Sequence, residues 1–295
     1  MTWRFALVLE PAASDDSRTD FADGFREIDP SAPALSVGEL STQRGDGIFE
    51  SIGVVNGHAQ EVGAHLERLA HSAGLCDLPA PNLAQWRQAV EVAASHCPSD
   101  GEGVIKLILS RGVEHGPAPT AWVTAAQAAD NTAARERGVR LVTLDRGYSL
   151  DTPARAPWLL LGAKTLSYAV NMAAIREAKR RGADDAIFVS SDGFVLEAPT
   201  ASLVLRKDGR FITPAPNAGI LHGTTQLSLF DHLTELGHET AYETVPVSAL
   251  AGADAAWLLS SVRLAAPITA VDGAEMPVDR ESTASFNDYL LSPRD

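Results

Sequence analysis

The sequence predicts a mixed α/β protein with two domains. In the first part of the chain, runs with helical spacing of apolar residues alternate with short β-rich runs. In the second part, several short β-rich runs follow one another closely. Between the two parts, residues 127–138 are polar and small, which is typical of a linker between domains. We therefore expect a small N-terminal domain over residues 1–126 and a larger C-terminal domain over residues 139–295.

The N-terminal domain is predicted to be a small α/β sandwich. The stretch GIFESIGVVNG at 47–57 places two apolar segments before an Asn-Gly turn and indicates a hairpin. Apolar residues at helical spacing predict a helix over 61–75, and we expect another over 82–96. The β-rich runs at 103–112 and 121–126 predict two partner strands.

The C-terminal domain is predicted to begin with a strand, VRLVTL, followed by a helix over 165–181 that ends at Gly182. Apolar or small residues expected on one face of this helix are Leu166, Val170, Ala173 and Ala174. A further helix is expected over 223–237, where the sequence GTTQLSLFDHLTELG starts with hydroxyl side chains and ends in glycine.

Short β-rich runs dominate the middle of this domain. The runs AIFVS, FVLEA, SLVLRK and RFITP are separated by SDG, PTA and KDG, which are typical of turns. Strands so closely spaced favour an antiparallel or barrel-like sheet. We therefore expect the larger domain to be a barrel-like α/β domain.

Composition excludes several classes of function. The net charge of −14, from 24 basic and 38 acidic residues, argues against a nucleic-acid partner. Cys76 and Cys97 have no metal-ligand spacing, the histidines form no HExxH motif, and we expect no metal site. Both cysteines are expected to be buried as small apolar residues. No signal peptide or membrane span is recognised, so no membrane partner and a cytoplasmic location are expected.

One lysine stands at the end of an apolar run, in LLLGAKTLSYAVN at 159–171. Such a lysine is either a stem with its ammonium in water or a nucleophile, because a buried ammonium tends to lose its proton. Glu197 ends another apolar run, where a carboxylate is costly without a cation beside it. The sequence HGTTQ at 222–226 opens a predicted helix, whose N-terminus can bind phosphate. An amine, an acid and a phosphate site are the parts that a pyridoxal 5′-phosphate (PLP) enzyme needs.

The sequence resembles the class IV aminotransferases, the fold type IV PLP enzymes. The family includes branched-chain and D-amino acid aminotransferases and aminodeoxychorismate lyases. The matching segments are GDGIFES (45–51), HLERL (65–69), KTLSYAVNMAAIREAKRRGADDAIFVSSDGFVLEA (164–198), GILHGTTQ (219–226) and SSVRLAAPITAVDG (260–273). The resemblance covers most of the chain in the family's order and implies the fold type IV architecture.

The resemblance implies a role for each matching residue around the cofactor. Lys164 matches the lysine that binds PLP covalently and, once released, moves the Cα proton. Glu197 matches the acid that faces the pyridine nitrogen, and Tyr168 matches a tyrosine beside the phenolic oxygen, one residue closer to the lysine than usual. The residues that match the phosphate-binding set are Arg68, Thr224, Thr225 and Ser261.

Four positions bear on the substrate. Phe49 stands where the D-amino acid enzymes have a tyrosine, and His115 follows Arg111-Gly112 without their second arginine. Arg263 replaces part of the GTAxE segment of branched-chain enzymes and is expected near the substrate, although a solvated surface arginine is an equal alternative. Two extra cations, Arg111 and Arg263, suit a substrate with two carboxylates such as aminodeoxychorismate.

By this resemblance the chain is most similar to the lyases of the family, which release 4-aminobenzoate and pyruvate from aminodeoxychorismate in folate biosynthesis. An aminotransferase acting on branched-chain or D-amino acids with a 2-oxo acid is the alternative, and a cofactor-binding protein without catalysis is a third hypothesis. The resemblance also implies a homodimer. Ser202 departs from the family, where asparagine is common after the segment that matches EAPTA.

Overall fold

In the computed structural model, which describes residues 3–295, the chain divides into two units. The first unit contains the described residues up to Ala129, together with Ala163–Tyr168 and Ser292–Asp295. The second unit contains Asp130–Gly162 and Ala169–Leu291. No helix within residues 3–295 has the length and apolar character needed to span a bilayer.

An antiparallel sheet forms the centre of the first unit. Its strands are β1 (Trp3–Leu9), β2 (Phe25–Ile28), β3 (Gly47–Val55), β4 (His58–Ala59), β5 (Glu102–Ser110) and β6 (Thr120–Gln127). Their order across the sheet is β2-β1-β6-β5-β3-β4. The hairpin prediction is confirmed: Asn56 and Gly57 join β3 to β4 with φ of 50° and 81°, the left-handed region that a tight Asn-Gly turn uses.

The helices of the first unit are α1 (Leu40–Gln43), α2 (Val62–Leu75) and α3 (Leu83–Ala94), and a 3₁₀ turn covers Ala22–Gly24. The two long helices confirm the sequence prediction. Asn82 caps α3, because its side-chain oxygen accepts a 3.0 Å hydrogen bond from the N–H of Gln85. Both helices bury residues at helical spacing, and among these Trp86 of α3 and Leu69 of α2 are almost fully enclosed.

A mixed sheet forms the centre of the second unit. Its strands are β7 (Val139–Asp145), β8 (Asp185–Val189), β9 (Ser202–Lys207), β10 (Arg210–Pro214), β11 (Thr240–Glu243), β12 (Ala255–Ser260), β13 (Leu264–Val271) and β14 (Ala274–Glu275). The order is β11-β10-β9-β12-β13-β7-β8, with β14 paired to β13. The pairs β10 with β11, β13 with β7 and β7 with β8 are parallel, and the others are antiparallel.

The helices of the second unit are α4 (Thr132–Arg137), α5 (Thr152–Arg155), α6 (Ala169–Arg180), α7 (Thr224–Glu235), α8 (Ser248–Ala251) and α9 (Arg280–Leu291), with 3₁₀ turns at Pro157–Leu159 and Pro216–Ala218. Successive residues of the central strands point to opposite faces, so Leu203 and Leu258 lie in one core and Val204 and Trp257 in another. Helices α7 and α9 contribute to the second core, where Trp257 Nε1 donates to Thr283 Oγ1 at 2.8 Å.

Two predicted elements were wrong in part. The helix expected over 165–181 begins at Ala169, because residues 164–166 pair with β3 in the first unit. Its buried face carries Ala174 and Ala178, whereas Val170 is 57% exposed. The predicted strand FVLEA forms no continuous ladder, since its residues make single bridges to different partners.

The predicted division of the chain at 127–138 differs from the observed units in detail. Gln127 still belongs to β6, and 132–137 form helix α4, which contacts β13 of the second unit. The two isolated segments of the first unit, 163–168 and 292–295, lie far along the chain from the rest of that unit. Both predicted cysteine positions are confirmed as buried free thiols.

Candidate active site

The segment that carries Lys164 lies along strand β3 of the first unit. The N–H of Phe49 donates to the carbonyl of Lys164 at 3.0 Å, and the N–H of Leu166 donates to the carbonyl of Gly47 at 2.8 Å. On the other side, the N–H of Lys164 donates to Ser72 Oγ of α2 at 3.2 Å. Both backbone polar groups of Lys164 are therefore held, which fixes the base of its side chain.

Aromatic rings lie beside the amine of Lys164. Its Nζ lies 4.6 Å from the centre of the Phe49 ring, a distance at which the ring face attracts a cation. The Phe49 and Tyr168 rings meet edge to face, with centroids 5.3 Å apart. The structure thus brings together three of the residues that the sequence predicted for the site, and Lys164 is half-buried rather than an exposed stem.

Arg68 lies on α2 and forms a two-point ion pair with Glu50 of β3. Its Nε and Nη2 donate to the two carboxylate oxygens of Glu50, each at 2.7 Å. His65 Nδ1 lies 2.8 Å from Glu50 Oε2, and Glu50 is fully buried. Burial would raise the pKa of Glu50, but the charge and hydrogen bonds of Arg68, with the hydrogen bond of His65, hold that pKa well below its usual range.

His65 stays neutral in this group. Burial lowers its pKa, and the positive charges of Arg68 and Lys164 lower it further, while Glu50 opposes them in part. The group therefore combines one carboxylate with the cations of Arg68 and Lys164 and a neutral imidazole. This excess of positive charge suits an anionic ligand.

Arg111 and His115 were both predicted to bind substrate. The guanidinium of Arg111 donates to Asp46 Oδ2 at 2.7 Å, to the carbonyl of Cys76 at 2.7 Å and to that of Asp77 at 3.1 Å. The hydrogen bond to Asp46 raises the pKa of Arg111. Arg111 thus ties the segment after α2 to the start of β3. His115 is exposed in the loop after β5, with a φ of 61°.

In the second unit, Glu197 is anchored by its backbone and side chain. Its carbonyl accepts from the N–H of Phe188 in β8 at 2.9 Å, and its Oε2 accepts from the N–H of Leu221 at 3.2 Å. The acid is therefore half-buried next to the segment that leads into α7. A fixed carboxylate of this kind can accept a proton from, or share one with, a ring nitrogen.

Hydroxyl groups converge at the start of α7. Thr225 Oγ1 lies 3.2 Å and Thr224 Oγ1 3.5 Å from Ser261 Oγ, and both threonines are buried. The residue before the helix is Gly223, so no side chain caps the N-terminus. Ser202 Oγ lies 2.3 Å from the place where a Cβ of Gly223 would be, which leaves no room for a larger residue without a shift. Hydroxyls at an uncapped helix N-terminus suit a phosphate.

Arg263 forms a buried ion pair within the second unit, and its expected place near the substrate stays a prediction. Its Nη1 donates to Asp185 Oδ2 at 2.8 Å, and the two side chains are only 16% and 5% exposed. Arg263 is therefore not a solvated surface arginine.

Sequence reasoning missed Glu50, His65, Ser72 and Asp185. A signal for the first three was present in the chain. His65, Arg68 and Ser72 recur at intervals of three and four residues, which places them on one face of a helix, and Glu50 interrupts an apolar strand. Asp185 is the first residue of β8, before the apolar run AIFV, and the sequence carried no signal of its pairing with Arg263.

Comparison with known families decides the assignment. The family described as amino-transferase class IV matches residues 47–271 of the chain. The protein belongs to the class IV aminotransferases. Class IV aminotransferases are PLP-dependent enzymes, and among residues 3–295 no cluster of metal-binding side chains accompanies the site.

Relatives of this class IV aminotransferase match it over most of its length. A Mycobacterium tuberculosis protein named bifunctional aminodeoxychorismate lyase / D-amino acid transaminase is 45% identical over 260 residues, or 85% of this chain and 90% of the relative. The fold IV transaminase CpuTA1 of Curtobacterium pusillum is 47% identical, with a TM-score of 0.92 over 98% of this chain and 99% of that one.

A hypothetical aminotransferase from Mycobacterium tuberculosis has been solved in a PLP-bound form and in a form with α-ketoglutarate and PMP. Both structures are 42% identical to this chain, with TM-scores of 0.87 and coverage of 97% of either chain. The residues present here fit PLP chemically, since the first unit holds an amine and a guanidinium, and the second holds an acid and an uncapped helix N-terminus lined by hydroxyls.

Proposed function

We propose that this protein is a PLP-dependent lyase that converts 4-amino-4-deoxychorismate to 4-aminobenzoate and pyruvate. The observation that carries the proposal is the similarity, over 85% of the chain, to an enzyme named for this lyase activity. The fixed amine of Lys164 supports it, because the reaction needs a base held in one place.

Lys164 is the proposed catalytic residue. When bound, PLP withdraws the electron pair left at the carbon that bears the substrate amine. Lys164 Nζ takes the proton from that carbon and becomes an ammonium. The face of the Phe49 ring, 4.6 Å away, stabilises this charged form. The C–O bond to the enolpyruvyl group then breaks, the leaving group takes up a proton as pyruvate, and the ring becomes aromatic.

The remaining proposed roles concern binding. Glu197 would keep a proton on the pyridine nitrogen of the cofactor, and Tyr168, whose ring meets Phe49, would bind its phenolic oxygen. Arg68 binds the phosphate through its guanidinium, a geometry that suits phosphate oxygens. In the second unit, the hydroxyls and N–H groups at the start of α7 are the proposed phosphate-binding groups: Thr224, Thr225 and Ser261.

Transamination of D-amino acids is the second candidate function. The bifunctional relative is also named as a D-amino acid transaminase, which favours it, and the relative from Curtobacterium is named as a transaminase without a stated substrate. Phe49 in place of tyrosine, and the lack of a second arginine before His115, count against a dedicated D-amino acid enzyme. The proposal therefore places transamination beside the lyase reaction.

An assay that separates acceptor-free from acceptor-dependent chemistry tests the proposal. Purified PLP-loaded protein is given aminodeoxychorismate made in situ, and 4-aminobenzoate and pyruvate are followed without any 2-oxo acid. A parallel panel contains D-amino acids and branched-chain L-amino acids with 2-oxoglutarate. We expect equal amounts of both products in the first assay. Amino transfer in the panel without 4-aminobenzoate in the first assay would refute the lyase.

We also propose that the protein forms a homodimer. Several large apolar side chains of the second unit are exposed, including Trp158 at 73% and Met172 at 44%, and exposed apolar surface is typical of association sites. Sedimentation equilibrium should give twice the chain mass. A monomer at micromolar concentration would contradict the proposal.

A further inference from the structure

We propose that Glu50 is a positioning residue for cofactor binding, acting through Arg68. The inference rests on the proposed function, in which Arg68 binds the phosphate of PLP. No role for Glu50 follows from the chemistry of the reaction, because its carboxylate is fully buried and is held by Arg68 and His65.

The geometry of the ion pair fixes the plane of the guanidinium. Two parallel hydrogen bonds of 2.7 Å, from Nε and Nη2 to separate carboxylate oxygens, leave Arg68 no rotation about its terminal bonds without breaking one of them. The edge that holds Nη1 is then on the side away from Glu50. A guanidinium held in this way meets a phosphate in one orientation. The entropy cost of ordering the Arg68 side chain is then not incurred when the phosphate binds.

His65 completes the support from the other side of the carboxylate. Its Nδ1 lies 2.8 Å from Glu50 Oε2, the oxygen that also accepts from Arg68 Nη2. Both His65 and Arg68 project from the same face of α2, and Glu50 lies on β3, next to Phe49. Glu50 therefore links the helix that carries Arg68 to the strand along which Lys164 is held.

The test compares two ligands that differ by the phosphate alone. Dissociation constants for PLP and for pyridoxal are measured by titration of full-length, cofactor-free protein. If Glu50 acts through Arg68, Glu50→Gln raises the dissociation constant of PLP about tenfold and that of pyridoxal less than about twofold. When Arg68 is already replaced by glutamine, adding Glu50→Gln should not change the PLP-to-pyridoxal ratio, which is the dissociation constant of PLP divided by that of pyridoxal. Equal losses for both ligands, or a full effect without Arg68, would overturn the proposal.

A matched control and a second variant keep the test decisive. Glu39 is another buried carboxylate of the first unit, held by the hydroxyls of Ser110 and Thr120, and Glu39→Gln should leave the PLP-to-pyridoxal ratio at the wild-type value. If Glu50→Gln does not fold, Glu50→Asp retains the charge but moves it out of reach of one of the two donors. The ratio of the PLP dissociation constant to the pyridoxal dissociation constant should rise in that variant too, and a wild-type ratio would overturn the inference.

The outcome of this binding experiment can be distinguished from a failure of the proposed lyase function. Ligand binding is measured without turnover, so a wild-type protein that makes no 4-aminobenzoate would refute the lyase and leave the binding result intact. An active wild-type enzyme whose preference for PLP over pyridoxal is unchanged by Glu50→Gln would refute the positioning role alone.

Discussion

The N–H of Phe49 donates a 3.0 Å hydrogen bond to the carbonyl of Lys164, and the ring of the same Phe49 lies 4.6 Å from Lys164 Nζ. One residue of β3 therefore holds the lysine at its backbone and also faces its amine. The position of the amine is set by the sheet of the first unit rather than by the helix that follows it in sequence. Substitutions that loosen the segment carrying Lys164 should lower the catalytic rate more than they lower the stability of the protein.

Lys164→Ala should abolish turnover and the visible absorption of the bound cofactor. The variant lacks the amine that binds PLP and moves the proton in the proposed reaction. Lys106 of β5 is a matched control, because it is the other lysine of the first unit and is half-buried. Lys106→Ala should retain both properties, as checked by absorption spectra and by product formation. Turnover by the Lys164→Ala protein would contradict the assignment.

Ser72→Ala should lower kcat with a modest loss of stability. The substitution leaves the N–H of Lys164 without its acceptor, and one unmade hydrogen bond costs about 1 kcal/mol. Ser41→Ala provides the control, since Ser41 Oγ has no hydrogen-bond partner within residues 3–295. Steady-state kinetics measure kcat, and thermal melts measure stability, for both variants. Equal kcat values for the Ser72→Ala and Ser41→Ala proteins would count against a positioning role for Ser72.

Two glycine substitutions should shift stability in opposite directions. A Cβ at Gly47 would lie 2.7 Å from the carbonyl oxygen of Leu109 and 2.8 Å from Leu166, so Gly47→Ala should destabilise the protein by about 1–3 kcal/mol. A Cβ at Gly74, near the end of α2, meets nothing within 4 Å. Gly74→Ala should therefore stabilise by about 0.5–1 kcal/mol. Urea unfolding measures both changes, and the same sign for both would be inconsistent with this geometry.

Stability should fall as the pH drops below 6.5, in part because of His65. The unfolded chain binds a proton there with a pKa near 6.5, whereas burial keeps the folded pKa lower. Between these two pKa values only the unfolded state is protonated, so protons favour unfolding. His65→Gln should reduce the slope of unfolding free energy against pH by up to about 1.4 kcal/mol per pH unit. Urea titrations from pH 7 to 5 test this, and parallel slopes would refute it.

Cys97 should react slowly with thiol reagents in the native protein. Burial raises the pKa of its thiol to about 11, which leaves about 0.1% thiolate at pH 8. Modification by a disulfide reagent, followed by mass spectrometry of the peptides, should become at least tenfold faster in guanidinium. A native rate equal to the rate in denaturant would show that Cys97 is accessible.

Local sequence patterns were enough to predict those helices and turns that are specified by neighbouring residues. Helix α2 shows helical spacing, and the Asn-Gly pair between β3 and β4 specifies its own turn. The start of α6 was wrong for the opposite reason. Leu166 fits the helical pattern, yet its N–H bonds to Gly47, more than a hundred residues earlier, and no local pattern encodes that pairing.

The residues of the candidate site likewise fall into those that local sequence patterns could predict and those that they could not. Lys164 and Glu197 could be singled out because each is a charge at the end of an apolar run, and the threonines of α7 stand at a helix start. The partners of the arginines could not be predicted. Arg68 meets Glu50 through packing of α2 on β3, and Arg263 meets Asp185 across 78 positions of sequence. Such ion pairs depend on how separate helices and strands pack against each other, which no local pattern encodes.

The covalent attachment of the cofactor to Lys164 tests the central claim most directly. PLP-loaded protein is treated with sodium borohydride, which fixes the cofactor to the amine that holds it, and is then digested for peptide mass spectrometry. The account predicts that the cofactor is found on the peptide containing Lys164. Attachment to Lys106, Lys179 or Lys207 instead, or no attachment at all, would contradict it.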